Sequence, residues 1–493
     1  MGARKALHHA PHYGSLRKAA LILGPALFFV IAAVPAPEGL RDEAWKLAGL
    51  IAWMVTWWLS EAVPLQVTAL LPIPMMPVLG IDNEKAVTAC YAHPLIFLFM
   101  GGFLIATAMQ RWGLHRRIAL EIVSALGSSP SRIVGGFMLA TALLSMWISN
   151  TATAIMMYAV GRSLLEFLKE RGNNYTSIRD FGKALMLGIA FSASIGGVGT
   201  LIGTPPNALL AGFVQSSLGR QITFSRWMMI GVPFVLILLP VCWLLLTRVV
   251  YRLQTVTIQN ADAAILNEKS ALGAMATGER IVLWVFVLTA LCWMTRSVLS
   301  GWTGISLSDS GIAMTAGIVL FIVPVSLEKG RFALDWDSAS RLPWEVLLLF
   351  GGGLALAHGF TVSGLAEAIG SIVAGAQRVH PLVLIALVTV LVAMLTELTS
   401  NTATTATFLP IMGAVATGLA LDPLLLCLPV ALAASMAFMM PVATPPNAIV
   451  FACDDVSIRD MLRAGIFMNA SAILLIIVFM YVAAPATIGL KLP

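Results

Sequence analysis

The sequence predicts an all-α polytopic membrane protein of about eleven transmembrane helices plus two re-entrant hairpins, arranged as an inverted repeat. Three observations carry that prediction. The 493 residues are 59% hydrophobic and only 11% charged, whereas a soluble globular chain carries roughly a quarter charged residues. Apolar runs such as 19–36 and 466–484 have the length of about 20 residues that crosses a hydrocarbon core of ~30 Å. Finally, two polar motifs recur in the same order and at nearly the same spacing.

In chain order, apolar runs bounded by charged or Pro/Gly segments predict helices near 17–36, 44–60, 62–80, 94–112, 184–216, 227–250, 279–299, 310–327, 343–361, 425–452 and 464–487. Arg4, Lys5, Arg17 and Lys18 precede the first run. No small-residue cleavage site convinces there, so the run reads as a retained first helix and not a signal peptide. Two further stretches, 131–168 and 381–417, are apolar at both ends and interrupted by Ser-Asn-Thr-Ala-Thr. Each reads as a hairpin that enters and leaves on one side. The five cysteines (Cys90, Cys242, Cys292, Cys427, Cys453) show no C-x-x-C spacing, so neither a disulfide framework nor a zinc site is indicated.

Charge tests the arrangement. With a cytoplasmic N-terminus and hairpins that do not cross, 22 of the 30 Lys and Arg residues fall inside, and 8 (Arg41, Lys46, Lys85, Arg220, Arg226, Arg296, Arg378, Lys491) fall outside. That bias supports an N-in, C-out chain in an inner membrane, with the first hairpin opening inward and the second outward. The net charge of +6 is accounted for by this placement, and no nucleic-acid partner is expected. The polar interval 254–280 then lies in the cytoplasm, between a first half at 94–253 and a second at 281–493.

The halves repeat. Ser149-Asn150-Thr151-Ala152-Thr153 recurs 251 residues on as Ser400-Asn401-Thr402-Ala403-Thr404, and Thr204-Pro205-Pro206-Asn207-Ala208 recurs 240 residues on as Thr444-Pro445-Pro446-Asn447-Ala448. Leu98 to Gly102 likewise answers Leu349 to Gly353. Motif duplication with opposite topology is the mark of an inverted-repeat transporter. Each Thr-Pro-Pro-Asn removes backbone donors and disfavours helix before it, so the runs holding Pro205 and Pro445 should break and leave carbonyls free for cations. The Ser-Asn-Thr segments sit where a hairpin starts its second helix, and unpaired N–H groups at a helix N-terminus suit a carboxylate. Hydroxyls and amides supply donors and acceptors. A single such cluster is commonly interhelical glue; two copies of both motifs favour a binding role.

These residues resemble the divalent anion/sodium symporter family, which includes bacterial dicarboxylate carriers and animal citrate and sulfate carriers. The resemblance runs from Trp58-Leu59-Ser60-Glu61-Ala62, through Leu144 to Thr151 and Ser192 to Gly197, to Pro441 to Phe451. It implies a homodimer in the lipid bilayer, with a scaffold domain that draws mainly on residues 1–93 and a transport domain that slides like an elevator. It also implies two sodium sites, one at Ser145, Ser149, Asn150 and Gly203, the other at Thr396, Thr399, Asn401 and Ala443. Substrate carboxylates would lie between the tips, at Asn150, Thr151, Thr204, Ser400, Asn401, Thr402 and Thr444. Oxygen ligands of this kind suit an alkali cation. The expected activity is sodium-coupled symport of C4-dicarboxylates such as succinate, fumarate and malate, with sodium ions co-transported and no organic cofactor.

No Arg or Lys lies inside the motifs, so a dianion would depend on hydrogen bonds, helix termini and the neighbouring sodium ions, and each ligand would favour the other's binding. Each net positive charge carried inward through 100 mV gains ~2.3 kcal/mol. Glu397 stands where the first half has Met146; such an acid more readily pairs with a neighbouring polar group or helix end than carries protons or ions. Glu61 reads as a cap or interface residue. His93, His115, His358 and His380 have no metal-ligand spacing. Gly351 to Gly353 lacks the lysine of a P-loop, so close helix packing is expected there. No paired intramembrane Asp, H-E-x-x-H or G-x-S-x-G set suggests an enzyme. Within transport, the rivals are a sodium-independent dicarboxylate exchanger and a carrier of citrate or sulfate.

Overall fold

The computed structural model describes residues 15–127, 129–170, 175–253, 261–374, 379–453 and 455–482. Arg4, Lys5, Arg171, Arg378 and Lys491, with both chain termini, lie outside the described residues. The described chain is helical almost throughout. It opens with α1 (Ser15–Ala33) and α2 (Asp42–Ser60), which pack along one another, then the short α3 (Leu65–Thr68), α4 (Pro72–Val78) and α5 (Glu84–Ala89). Next come α6 (Pro94–Arg111), α7 (Leu114–Leu126), α8 (Pro130–Ser145), α9 (Asn150–Glu170), α10 (Tyr175–Gly197) and α11 (Pro205–Leu218). After these run α12 (Phe224–Leu244), ending in a π turn over Leu245–Val250, then α13 (Ala261–Ser270), α14 (Thr277–Thr303) and α15 (Asp309–Ile322). An antiparallel pair, β1 (Pro324–Ser326) and β2 (Arg331–Phe332), leads through α16 (Trp336–Ala339) to α17 (Trp344–Ser363). The chain closes with α18 (Leu365–Val373), α19 (Pro381–Leu395), α20 (Asn401–Gly418), α21 (Leu424–Ala434), α22 (Pro445–Phe451) and α23 (Ile458–Val482).

Element boundaries reproduce the sequence repeat. α7 and α18 begin 251 residues apart, each directly after a left-handed glycine, Gly113 (φ 71°) and Gly364 (φ 81°). α8 and α19 both open on proline, α9 and α20 on asparagine, and α11 and α22 on the first proline of Thr-Pro-Pro-Asn. Two arrangements differ from the sequence expectation. The run at 62–80 is broken into α3 and α4, because Pro72, Pro74 and Pro77 withdraw backbone donors along it. By length and composition, five helical spans among the described residues can cross a membrane (84–111, 224–250, 277–303, 344–363 and 458–482), not about eleven. Of the expected runs absent from these five, 62–80, 184–216 and 425–452 are each divided by a turn or break, and α15, in the run at 310–327, is 14 residues long.

The core is built on the two broken helices. Residues 181–204 are buried without exception, as is every residue of α21. Packing is crossed between the halves: α9 and α10 lie against α22, while α11 lies against α20 and α21. Outside, α14 exposes Trp284, Leu288, Leu291, Met294 and Val298, an apolar stripe of the kind lipid covers. The helix α13 joins α7 to α9. Its Glu268 accepts from Ser163 Oγ at 2.7 Å and Arg116 at 2.6 Å, and these bonds hold its carboxyl below the usual range. Glu61 ends α2 and pairs with Arg17 at 2.9 Å, and His93 and His380 cap α6 and α19.

The glycine run of α17 is a close-packing surface, as its sequence suggested. A Cβ on Gly352 would lie 2.7 Å from the Ala69 Cα and 2.6 Å from its Cβ, whereas one on Gly301 would meet nothing within 4 Å. Gly352→Ala should therefore destabilise the protein by about 1–3 kcal/mol, read as a lower thermal midpoint in detergent. Gly301→Ala should stay within about 0.5 kcal/mol of the parent.

Candidate binding site at two hairpin tips and two broken helices

Each helical hairpin turns at a Ser-Asn pair. In the first, α8 ends at Ser145 and α9 starts at Asn150, with the Ser149 carbonyl accepting from Thr153 N–H at 3.0 Å. In the second, α19 ends at Leu395 and α20 starts at Asn401, with Ser400 accepting from Thr404 N–H at 2.9 Å. Both serines are thus N-caps, and Asn150, Thr151, Asn401 and Thr402 form the first turns behind them, half-buried and with backbone N–H groups free of intrahelical partners. The broken helices face these tips with a loop and a proline start. Thr204 and Thr444 cap α11 and α22 from extended conformations and are buried at 2% and 4% exposure.

In each half one amide oxygen meets several other oxygens. Ser145 Oγ donates to Asn150 Oδ1 at 2.6 Å and to the Ala193 carbonyl at 2.7 Å. The Asn150 amide also faces the Ala193 and Gly203 carbonyls; turned over, its nitrogen would donate to them at 3.1 and 3.2 Å. With the nitrogen inward the network is satisfied without an ion; with the oxygen inward, as around a bound cation, four oxygens would converge on one point. The second half repeats the device: Thr396 Oγ1 donates to Asn401 Oδ1 at 2.6 Å and to the Ala434 carbonyl at 2.8 Å. Ala434 follows Ala193 by 241 residues, and Ala443 follows Gly203 by 240.

Of the sequence-derived residues, the structure brings Ser145, Asn150 and Gly203 together, and Thr396 with Asn401. Ser149 Oγ instead accepts from Ala152 N–H at 3.3 Å. Thr399 Oγ1 bonds the Leu395 carbonyl at 2.8 Å and Thr404 Oγ1 at 2.7 Å, within its own hairpin. Ala443 is buried in the second loop, its N–H on the Met440 carbonyl at 3.2 Å. The carbonyls of Ala193 and Ala434 were missed, since no side-chain pattern marks a backbone oxygen. Symmetry could have found them, because they sit at nearly the same distance, 11 and 10 residues, before the repeated Thr-Pro-Pro-Asn.

Buried asparagines shape the loops. Asn207 Nδ2 donates to the carbonyls of Gly197 (2.9 Å) and Thr200 (2.7 Å), and Asn447 Nδ2 to those of Ala437 (3.1 Å) and Met440 (3.0 Å). Trp227 Nε1 adds a bond to the Val198 carbonyl at 2.8 Å. Close approach is also required: a Cβ on Gly197 would come 2.6 Å from Asn150 Oδ1. Trp147, in the first tip, packs on Phe224, Phe286 and Trp293. No Lys or Arg lies within 145–153, 193–207, 396–404 or 434–447, and no cluster of His, Cys, Asp and Glu suited to a tightly held metal occurs among the described residues. The arrangement offers neutral oxygens to a weakly held cation and helix N-termini to an anion.

Known proteins were compared with this chain. The family described as "Sodium:sulfate symporter transmembrane region" matches residues 16–485. The chain is similar to the "Sodium-dependent dicarboxylate transporter SdcS" of Staphylococcus saprophyticus, 42% identical over 476 residues, covering 95% of this chain and 92% of the relative. It is similar to the protein of the same name from Staphylococcus aureus strain NCTC 8325, 41% identical over 478 residues, covering 96% and 92%. Among solved structures, its fold is similar to the Alcanivorax borkumensis YdaH transporter (TM-score 0.55, 15% identity, 96% of this chain and 98% of the other). It is also similar in fold to Neisseria gonorrhoeae MtrF (TM-score 0.58, 14% identity, 98% and 97%). The family read in the duplicated motifs is the family these matches show: the chain belongs to the sodium:sulfate symporter family, a family of transporters and not of enzymes.

Proposed function

We propose that this protein is a secondary active transporter that couples sodium entry to uptake of C4-dicarboxylates such as succinate, fumarate and malate. The observation that carries the reading is the duplicated oxygen cluster, in which a hairpin asparagine, a hydroxyl and a broken-helix carbonyl converge in each half. Two sodium ions fit there, one with Ser145, Asn150, Ala193 and Gly203, the other with Thr396, Asn401, Ala434 and Ala443. Ser149 and Thr399 support the tips as much as they offer ligands. The substrate carboxylates are held by the helix starts at Asn150–Thr151 and Asn401–Thr402, with Ser400, Thr204 and Thr444 beside them. Two separated tips suit two separated carboxylates better than one sulfate. The names of the similar staphylococcal proteins support the same cargo.

Because the tips carry no basic residue, sodium supplies both the countercharge and the order that the anion needs, so each ligand raises the affinity for the other. In this reading the chain lies N-in and C-out in a bacterial inner membrane, as an inverted repeat with re-entrant hairpins. It is a homodimer whose transport domain holds both hairpins and both broken helices and moves as an elevator against a scaffold.

Uptake of labelled succinate into proteoliposomes should require external sodium, with potassium and lithium giving much less. Equal uptake in all three would reject symport, and a requirement for internal dicarboxylate would select the exchanger. Asn150→Ala and Asn401→Ala should each cut sodium-driven uptake to below about a tenth of the parent rate, since a lost polar partner to a charged ligand costs about 1.5–3 kcal/mol. The variant proteins should still insert and dimerise; normal uptake would make these motifs interhelical glue. Gly197→Ala should abolish uptake like Asn150→Ala, because its methyl group displaces the Asn150 amide.

A further inference from the structure

We propose that Glu397 is a positioning residue that makes the two cation sites unequal: it fixes the loop of the second site and lends it a negative charge, so this site takes sodium first and more tightly. The inference rests on the sodium-coupled reading above and adds an order of events to it.

Glu397 is 2% exposed, one residue after Thr396 and four before Asn401. Its Oε1 accepts from Phe438 N–H at 2.8 Å, Met439 N–H at 3.1 Å and Asn469 Nδ2 at 2.7 Å, and its Oε2 from Met439 N–H at 3.1 Å and Met440 N–H at 3.0 Å. Both oxygens act only as acceptors, the pattern of a carboxylate. Three consecutive amides form an anion-binding concavity around it. Among the described residues no Lys, Arg or His forms an ion pair with it. Hydrogen bonds compensate for its removal from water, while the unit charge remains.

The same loop is gripped from its other side. Asn447 Nδ2 takes the carbonyls of Ala437 and Met440, while Glu397 takes the amides of Phe438, Met439 and Met440. With both sets fixed, residues 441–443 have a defined path to the second cluster, where Thr396, Asn401 and Ala434 meet.

The first half has no such charge. Met146 occupies the corresponding position, 7% exposed, and what it contributes is a main-chain carbonyl that accepts from Thr200 Oγ1. Its loop is held by neutral donors alone, Asn207 Nδ2 and Trp227 Nε1. Two clusters with the same oxygen types therefore differ by one elementary charge. At an effective dielectric of about 20, a unit charge several ångströms from a cation changes its affinity on the order of tenfold to a hundredfold. The second site fills at low sodium, and the first fills when sodium is higher or an anion is present.

Purified protein without dicarboxylate, titrated with sodium chloride against potassium chloride and read by thermal midpoint, tests this. The parent should show two sodium-dependent phases. Glu397→Gln should shift the tighter phase at least tenfold to higher sodium, while Asn150→Ala keeps that phase and Asn401→Ala loses it. In proteoliposomes, the apparent succinate affinity of Glu397→Gln at saturating sodium should stay within about threefold of the parent. A Glu397→Gln protein that melts lower but has unchanged sodium midpoints overturns the proposal, since that is the signature of a structural acid. If Glu397→Gln does not fold, the asparagine pair decides: loss of the tight phase in Asn150→Ala, or equal losses in both, also overturns it. Absence of any sodium effect in the parent rejects the sodium-coupled reading itself, and the order of filling with it.

Discussion

Buried backbone must find partners, and inside this molecule that constraint governs everything near the tips. A helix interrupted in an apolar core exposes amides on one side of the break and carbonyls on the other, and each unpartnered group costs several kcal/mol in a medium without water. The chain accepts four such interruptions, two hairpin turns and two broken helices, and provides for them locally. Asn207 and Asn447 take up carbonyls, Glu397 takes up amides, and Trp227 and Thr200 close the remaining loop groups. The Ala193 and Ala434 carbonyls take the Ser145 and Thr396 hydroxyls that also reach the hairpin asparagines, and the Gly203 carbonyl faces Asn150. Buried acceptors without a partner also remain beside the site, among them Asn207 Oδ1 and Asn447 Oδ1.

Most of the architecture was legible because its signals are long. Apolar runs, Pro and Gly punctuation and the repeated pentapeptides located both hairpins and both breaks to within a few residues, except at the start of α10, which precedes the expected run by nine residues. The failures share a cause. Tyr175 to Lys183 mixes polar and charged residues with apolar ones and so lacks a membrane signature, yet it continues α10. The segment 62–80 is apolar throughout its middle but too rich in proline to hold one helix. Composition reports the environment of a segment; where its helix stops is a separate, local matter.

The candidate site was legible in its side chains and obscure in its carbonyls. Asn150 and Asn401 announced themselves by repetition. Ser149, equally repeated, and Thr399, whose counterpart is Ile148, turned out to serve the hairpin turns, because a serine or threonine near a helix start satisfies the backbone as readily as it binds a ligand. Asn207 and Asn447 were in view as letters of a motif, but their role depends on a loop folding back over them. The acid at position 397 stood out as a break in the symmetry, and its partners proved to be three loop amides and the Asn469 side chain.

The crossed packing of the halves sets a problem in time. α9 and α10 rest on α22, and α11 rests on α20 and α21, so each half packs within itself yet lacks part of its cover until the other is made. Asn150 leaves the ribosome 295 residues before Pro445, an interval of roughly 15–60 s at ordinary rates of synthesis. Throughout that wait α9 and α10 lack the α22 surface that covers them. The amino-terminal half can pair its own hairpin with its own broken helix, but the faces of α9, α10 and α11 that meet the other half stay open until it arrives. A cell that slows translation lengthens the period in which that half is open to membrane proteases.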